Sequence, residues 1–190
     1  MRGVLLGLAL VGCASATSAG PDVAPKGHGD APIVPHDGPV THDGPQGATC
    51  TTSQTCTAAT ALASVCGDTG ADMQSASGYQ AAWYSVRVTE NDNSPFGQPM
   101  NLTVQLTSPA GENFDLYVYV NEGSDMVDCT SVTGMSTSTS GADSVSLTWG
   151  ETGTFANDSD DSRTVSIEIR PVTTSCSSGS TWQLTVFGDT

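Results

Sequence analysis

From Gly78 onward the chain alternates apolar and polar residues in six separate runs. In AWYSVRVTE the apolar set is Tyr84, Val86 and Val88; in NLTVQLT it is Leu102, Val104 and Leu106. NFDLYVYV repeats the pattern with Phe114, Leu116, Val118 and Val120, and DSVSLTW with Val145, Leu147 and Trp149. RTVSIEIR places Val165, Ile167 and Ile169 in phase, and STWQLTVF places Trp182, Leu184 and Val186. A period of two sends successive side chains to opposite faces of an extended strand, so each run carries one apolar face and one polar face. Gly, Pro, Asn and Asp separate the runs. The pattern predicts antiparallel sheets packed face to face, an all-β sandwich.

Upstream of Gly78 the alternation is absent. Residues 49–78 are rich in Thr, Ala and Ser and hold Cys50, Cys56 and Cys66, which marks a compact, stapled lead-in. Ala58 to Val65 is the one place where a short helical turn is expected. Residues 13–48 are dominated by Ala, Gly, Pro, Ser, Asp and His, too poor in large apolar side chains to offset their ordering entropy, and read as a disordered tether. HDGP occurs twice there, at 36–39 and 42–45, close to His28. Asp-Gly-Pro specifies turns and extended backbone, which makes this a spacer rather than a metal tract.

Residues 1–12 differ again. Arg2 precedes an unbroken small and apolar run from Val4 to Val11, followed by Gly12 and Cys13. The run is much shorter than the roughly 20 residues that a membrane-spanning helix needs, and its layout is that of a secretory signal. Leu10-Val11-Gly12-Cys13 resembles the bacterial lipobox, in which the cysteine thiol receives a diacylglycerol before cleavage on its N-terminal side. Cys13 is therefore the expected lipidation site and the membrane the expected partner, with Ala14 after it implying the outer membrane. The alternative is an ordinary signal cleaved near Ala16 or Ala19.

Charge and cysteines narrow the setting. The net charge is −15, from 20 acids against 5 Lys+Arg. Such a surface repels phosphate backbones, so nucleic acid is excluded, and divalent cations, basic surfaces or uncharged polymers fit better. In an oxidising compartment Cys50, Cys56, Cys66, Cys129 and Cys176 read as disulfide formers, since no CxxC occurs and no His lies near them. The expected bridge is Cys129 to Cys176, flanking the later strands and stabilising by about 4 kcal/mol. That leaves one of the other three free or joined to another chain.

Catalytic chemistry finds few carriers. His28, His36 and His42 all lie in the tether, and no Lys occurs from Thr49 onward, which excludes a His-dependent nucleophile and a Schiff base on the folded part. Carboxylate pairs among Glu112, Asp115, Asp125 and Asp128 remain, making a small carboxylate-dependent hydrolase the alternative to a binding module. Asp115 opens a strand opposite Phe114 and Leu116, where it accepts turn N–H groups or faces solvent. Tyr117 and Tyr119 share its face, in positions suited to cross-strand packing or to stacking a polymer. Asn157-Asp158-Ser159-Asp160-Asp161 offers oxygen ligands for Ca²⁺, yet Arg163 and Ile169 stand where an EF-hand requires Gly and Glu. The loop is expected to be a solvated acidic run, and no cofactor is implied.

The order of these segments, WYSVRV, LTVQLTSPAGENFDLYVYV, SVSLTWGETGTF, VSIEIRPV and WQLTVFG, resembles the bacterial pre-peptidase C-terminal domain over residues 79–190. Asp115-Leu116-Tyr117-Val118 matches that family's strand best, while Trp182 stands where Tyr is usual. The resemblance implies a jelly-roll-like β-sandwich without catalysis of its own. It is of a kind appended to exported enzymes and, in some relatives, binding insoluble polymers or calcium. The resulting expectation is a lipid-anchored envelope protein carrying a non-catalytic binding or structural module, its partner an extracellular polymer or an envelope protein.

Overall fold

The computed structural model describes residues 48–92, 95–154 and 159–189. The signal segment, Cys13 and the tether before residue 48 lie outside them, as do Asn157 and Asp158. In chain order the strands are β1 (Ala48–Thr49), β2 (Thr60–Ala61), β3 (Val65–Cys66), β4 (Met73–Gly78) and β5 (Ala82–Thr89). There follow β6 (Phe96–Gly97), β7 (Met100–Thr107), β8 (Phe114–Tyr119), β9 (Gly134–Ser136) and β10 (Ala142–Trp149). β11 (Gly153–Thr154), β12 (Arg163–Pro171), β13 (Ser175–Cys176) and β14 (Trp182–Gly188) complete the set. All six alternating runs are strands.

Two sheets form the layers. One has the order β10-β7-β14-β4. The other runs β5-β12-β8-β9, with β2 and β3 both lying parallel to the outer edge of β5. All other neighbours in the two layers are antiparallel. Leu102, Val104, Leu106, Leu184 and Val186 from the first sheet meet Val86, Val165, Ile167, Ile169, Leu116 and Val118 from the second in one core, each at most 1% exposed. Burying a Val, Leu or Ile side chain contributes about 1.5–3 kcal/mol, so this interface is the main source of stability. The two tryptophans at its ends keep their N–H groups satisfied: Trp182 Nε1 donates to Gln80 O at 2.9 Å, and Trp149 Nε1 to Asp161 O at 2.9 Å. Gly78 is required beneath Trp182, because a Cβ there would run into the indole.

The outward faces differ in chemistry. On the first sheet β10 presents Ser144, Ser146 and Thr148, and β7 presents Thr103, Gln105 and Thr107. β14 adds Gln183, Thr185 and Phe187, and β4 adds Met73, Ser75 and Ser77. The second sheet carries aromatic and charged residues outward, described below.

The lead-in departs from expectation in two ways. Its helical content is one short 3-10 turn, Cys56–Ala58, and Thr60–Ala61 and Val65–Cys66 are strands instead, because β5 offers an open edge and β-branched residues suit it. Residues 73–78 form a full edge strand of the first sheet.

The Cys129–Cys176 bridge does not form. Cys176 is joined to Cys50 and Cys129 to Cys56. β13 pairs with β1 and so brings Cys176 to the lead-in's first turn. Cys129 sits instead in the β8–β9 loop, near the middle of β12: Cys56 Sγ, its partner, is 3.4 Å from Ser166 Oγ. From Ser166 to Pro171 the strand runs roughly 17 Å, well beyond the Cα separation of up to about 7 Å that a disulfide spans. Cys66 is bonded as well, so no cysteine among the described residues is free.

Candidate functional site

The outward face of β5, β12 and β8 gathers the residues singled out in the sequence. Alternation sends Phe114, Leu116 and Val118 inward, which turns Asp115, Tyr117 and Tyr119 outward on β8. On β12 the same parity turns Ser166, Glu168 and Arg170 away from the core, although Ser166 is itself buried, and on β5 it turns Trp83, Ser85 and Arg87 outward. Register then fixes the neighbours: Glu168 lies between Trp83 and Tyr117, Ser166 between Ser85 and Tyr119, and Arg170 opposite Asp115.

The side chains close into a network. Glu168 Oε2 accepts hydrogen bonds from Tyr119 Oη at 2.6 Å and from Arg170 Nη2 at 2.6 Å. Arg170 Nη2 also donates to Tyr119 Oη at 2.9 Å, while its guanidinium lies 3.9 Å from the Tyr117 ring centre. Trp83 covers Tyr119, with ring centres 5.3 Å apart. Tyr119 is thus 2% exposed although its parity points it away from the core. Burial, and then the bond to Glu168, push its phenol far above the usual tyrosine range. Glu168, in turn, raises Arg170. Tyr119 and Arg170, both pushed up, therefore keep their protons at neutral pH.

Both tyrosines are occupied. Tyr119 is sealed under Trp83 and one face of Tyr117 is capped by Arg170, so the pair packs across strands rather than forming an open stripe for a polymer. Replacing Tyr119 by Phe should cost about 1.5–3 kcal/mol, the range for a hydrogen bond to a charged group, measured as a shift in the urea midpoint. The folded pKa lies above the unfolded one, so this contribution is full below about pH 10 and is lost as pH rises further. Tyr119→Phe should therefore flatten the alkaline loss of stability as well.

The acids weighed as catalytic pairs are dispersed. Asp115 lies at the start of β8, half-buried, its carboxyl raised by burial and by Asp143 and lowered by Arg170. Among the described residues it accepts no turn N–H: Ser108 Oγ takes the Phe114 N–H at 3.0 Å instead. Glu112 accepts from Ser177 N at 3.0 Å. Asp125 and Asp128 lie past the opposite end of β8. Asp125 pairs with Arg87, and Asp128 accepts from Thr130 N and Ser131 N, which lowers its pKa.

The acidic loop is only partly solvated. Asp161 is 8% exposed; its carboxylate accepts from Glu151 N at 2.9 Å and Arg163 Nη2 at 3.4 Å. Its N–H donates to Glu90 Oε2 at 2.7 Å. Glu90 is pushed up by burial and by the charges of Asp161, Asp160 and Asp68, whereas Ser162 holds Asp160 down. Gly150, at φ +86°, leaves room for the Asp161 carboxylate. Among the described residues no three His, Cys, Asp or Glu side chains are placed to hold a metal ion.

Sequence reasoning missed Trp83, Glu168 and Arg170. The signal was present: Glu168 and Arg170 stand two apart on one strand face, the spacing that makes same-face neighbours.

No family model matches the chain, and no curated protein matches it. Among solved structures the chain is similar to the crystal structure of the pre-peptidase C-terminal domain of collagenase from Bacillus anthracis, at 9% sequence identity and a TM-score of 0.40. The similarity covers 67% of this chain and 95% of that one.

Proposed function

We propose that this protein is a lipid-anchored lipoprotein of the bacterial cell envelope, on the outer membrane, whose β-sandwich is a non-catalytic binding or structural module. The observation that carries the anchor is the apolar run Val4 to Val11 ending on Leu10-Val11-Gly12-Cys13. Two acyl chains at one cysteine make membrane attachment effectively permanent, at about 0.8 kcal/mol for each buried methylene. The disulfides Cys50–Cys176 and Cys56–Cys129 suit an exported protein.

The module reading is supported by the dispersal of the acids. Asp125 and Asp128 lie past one end of β8, Glu112 and Asp115 at the other, and Asp125 is neutralised by Arg87. A carboxylate-dependent hydrolase needs two carboxyls free to act across a cleft, whereas Glu112 accepts from Ser177 N, Asp125 pairs with Arg87 and Asp128 accepts from Thr130 N and Ser131 N.

Cys13→Ser tests the anchor. The variant precursor should take up no labelled palmitate and should leave the membrane fraction. Lipidation leaves the Cys13 sulfur as a thioether, so the mass of the mature N-terminus gives an independent answer. Unchanged membrane retention, or an unmodified Cys13, overturns the anchor.

A further inference from the structure

The outward face of the β10-β7-β14-β4 sheet carries no Asp, Glu, Lys or Arg on any strand, in a chain with 20 Asp+Glu. The other sheet's outer face holds Asp115, Arg87, Glu168 and Arg170. Register arranges the neutral face in rows. Thr185 stands between Gln105 and Ser75, and Phe187 stands between Thr103 and Met73. At strand spacings of roughly 4.8 Å the rows span about 14 Å.

Ordinary solvation accounts for polar residues on this face but not for the exclusion of charge from it. The hydroxyl and amide groups are partly committed: Thr148 Oγ1 donates to Asn101 Oδ1 at 3.0 Å and Gln183 Nε2 to Thr181 Oγ1 at 3.3 Å. Thr103 bonds Ser146 at 3.0 Å, whereas Gln105, Thr185 and Ser75 make no side-chain hydrogen bond among the described residues. In the next row Phe187, on the inner strand β14, is half-buried, and Met73, on the edge strand β4, is 58% exposed.

We infer that this face binds an uncharged polysaccharide. Sugar hydroxyls both donate and accept, as do Ser, Thr and Gln side chains, and a pyranose ring presents an apolar C–H face that packs on an aromatic ring. A neutral ligand also asks for no charge to be desolvated. Charge argues against the other occupants: with a net charge of −15, a second copy or an anionic polymer is repelled. The inference rests on the module reading above and names its ligand class and its face.

The test uses the purified full chain in detergent, depleted from solution by microcrystalline cellulose, by chitin and by an insoluble β-1,3-glucan. Retention is expected on at least one, unchanged in about 0.5 M NaCl, where surface electrostatics are screened. Phe187→Ala and, separately, Gln105→Glu should each weaken it about tenfold, the effect of losing one stacking contact or burying one unpaired charge. Arg170→Met, on the opposite face, should leave it intact, and melting curves verify that each variant is folded. Retention that ignores both substitutions overturns this face but leaves the module standing. No retention on any of the three polymers overturns the ligand class. If cross-linking in intact cells also captures no envelope partner, the module reading falls with it.

Discussion

Replacing Cys50 and Cys176 together by Ala should lower folding stability by about 4–5 kcal/mol and the melting temperature by about 10–20 °C. The bridge closes a loop with a sequence separation of 126, and the loop entropy it removes from the unfolded chain is about 4.9 kcal/mol. Cys56–Cys129 closes a separation of 73, about 4.4 kcal/mol by the same reckoning. Burial separates the two further. Cys50 and Cys176 are 2% and 3% exposed within the core, so their removal also leaves a void, whereas Cys56 and Cys129 are only half-buried. The Cys50/Cys176 variant should therefore be the less stable of the two in calorimetry. A smaller loss than for Cys56/Cys129 would contradict this ranking.

Arg163→Met should cost about 3–5 kcal/mol. Arg163 is 8% exposed, and its guanidinium reaches three carbonyls: Glu122 O at 3.3 and 3.1 Å, Asp160 O at 3.0 Å and Ser162 O at 2.9 Å. It also pairs with Asp161. Removing it leaves these acceptors buried without a donor and Asp161 without its counter-charge. Arg163→Lys should recover less than half of the loss, because a single ammonium cannot reach acceptors in so many directions. Arg170→Met, by contrast, should cost about 1 kcal/mol or less, since that side chain is 45% exposed. Urea midpoints on the three variants decide it, and a loss for Arg163→Met no larger than that for Arg170→Met would show that the clamp is not structural.

The long strands were legible because each of them buries one face, and burial writes itself into the sequence with period two. β4 was not: MQSASG sits at an edge with only Ala76 packed against the core, so selection for apolar residues there is weak. β1, β2 and β3 span two residues each, too few for any period. The cysteine pairing was illegible for a different reason. It depends on which end of the sandwich each loop occupies, and that is set by strand order rather than by the residues around the cysteines. Tyr119 has the parity of an exposed residue and is buried by Trp83 from another strand. Arg163, however, was readable in principle. It is in phase with Val165 and Ile167, and a charged residue in an inward slot announces a buried partner set. Asp143, in phase with Val145 and 3% exposed, is the same kind of signal.

The Cys50–Cys176 bond also sets the route taken by mechanical force. Tension applied to the chain upstream of Ala48 reaches Cys50 and crosses the sulfurs to Cys176, bypassing every strand from β2 to β12. It then runs through residues 177–181 into β14, the strand that carries Thr185 and Phe187 and is held between β7 and β4. A load pulling between the N-terminal side and a ligand on that neutral face would thus pass along a short covalent path into one clamped strand. The intervening residues would stay unloaded, and the rate of rupture would be set by the grip on the ligand rather than by unfolding of the sandwich.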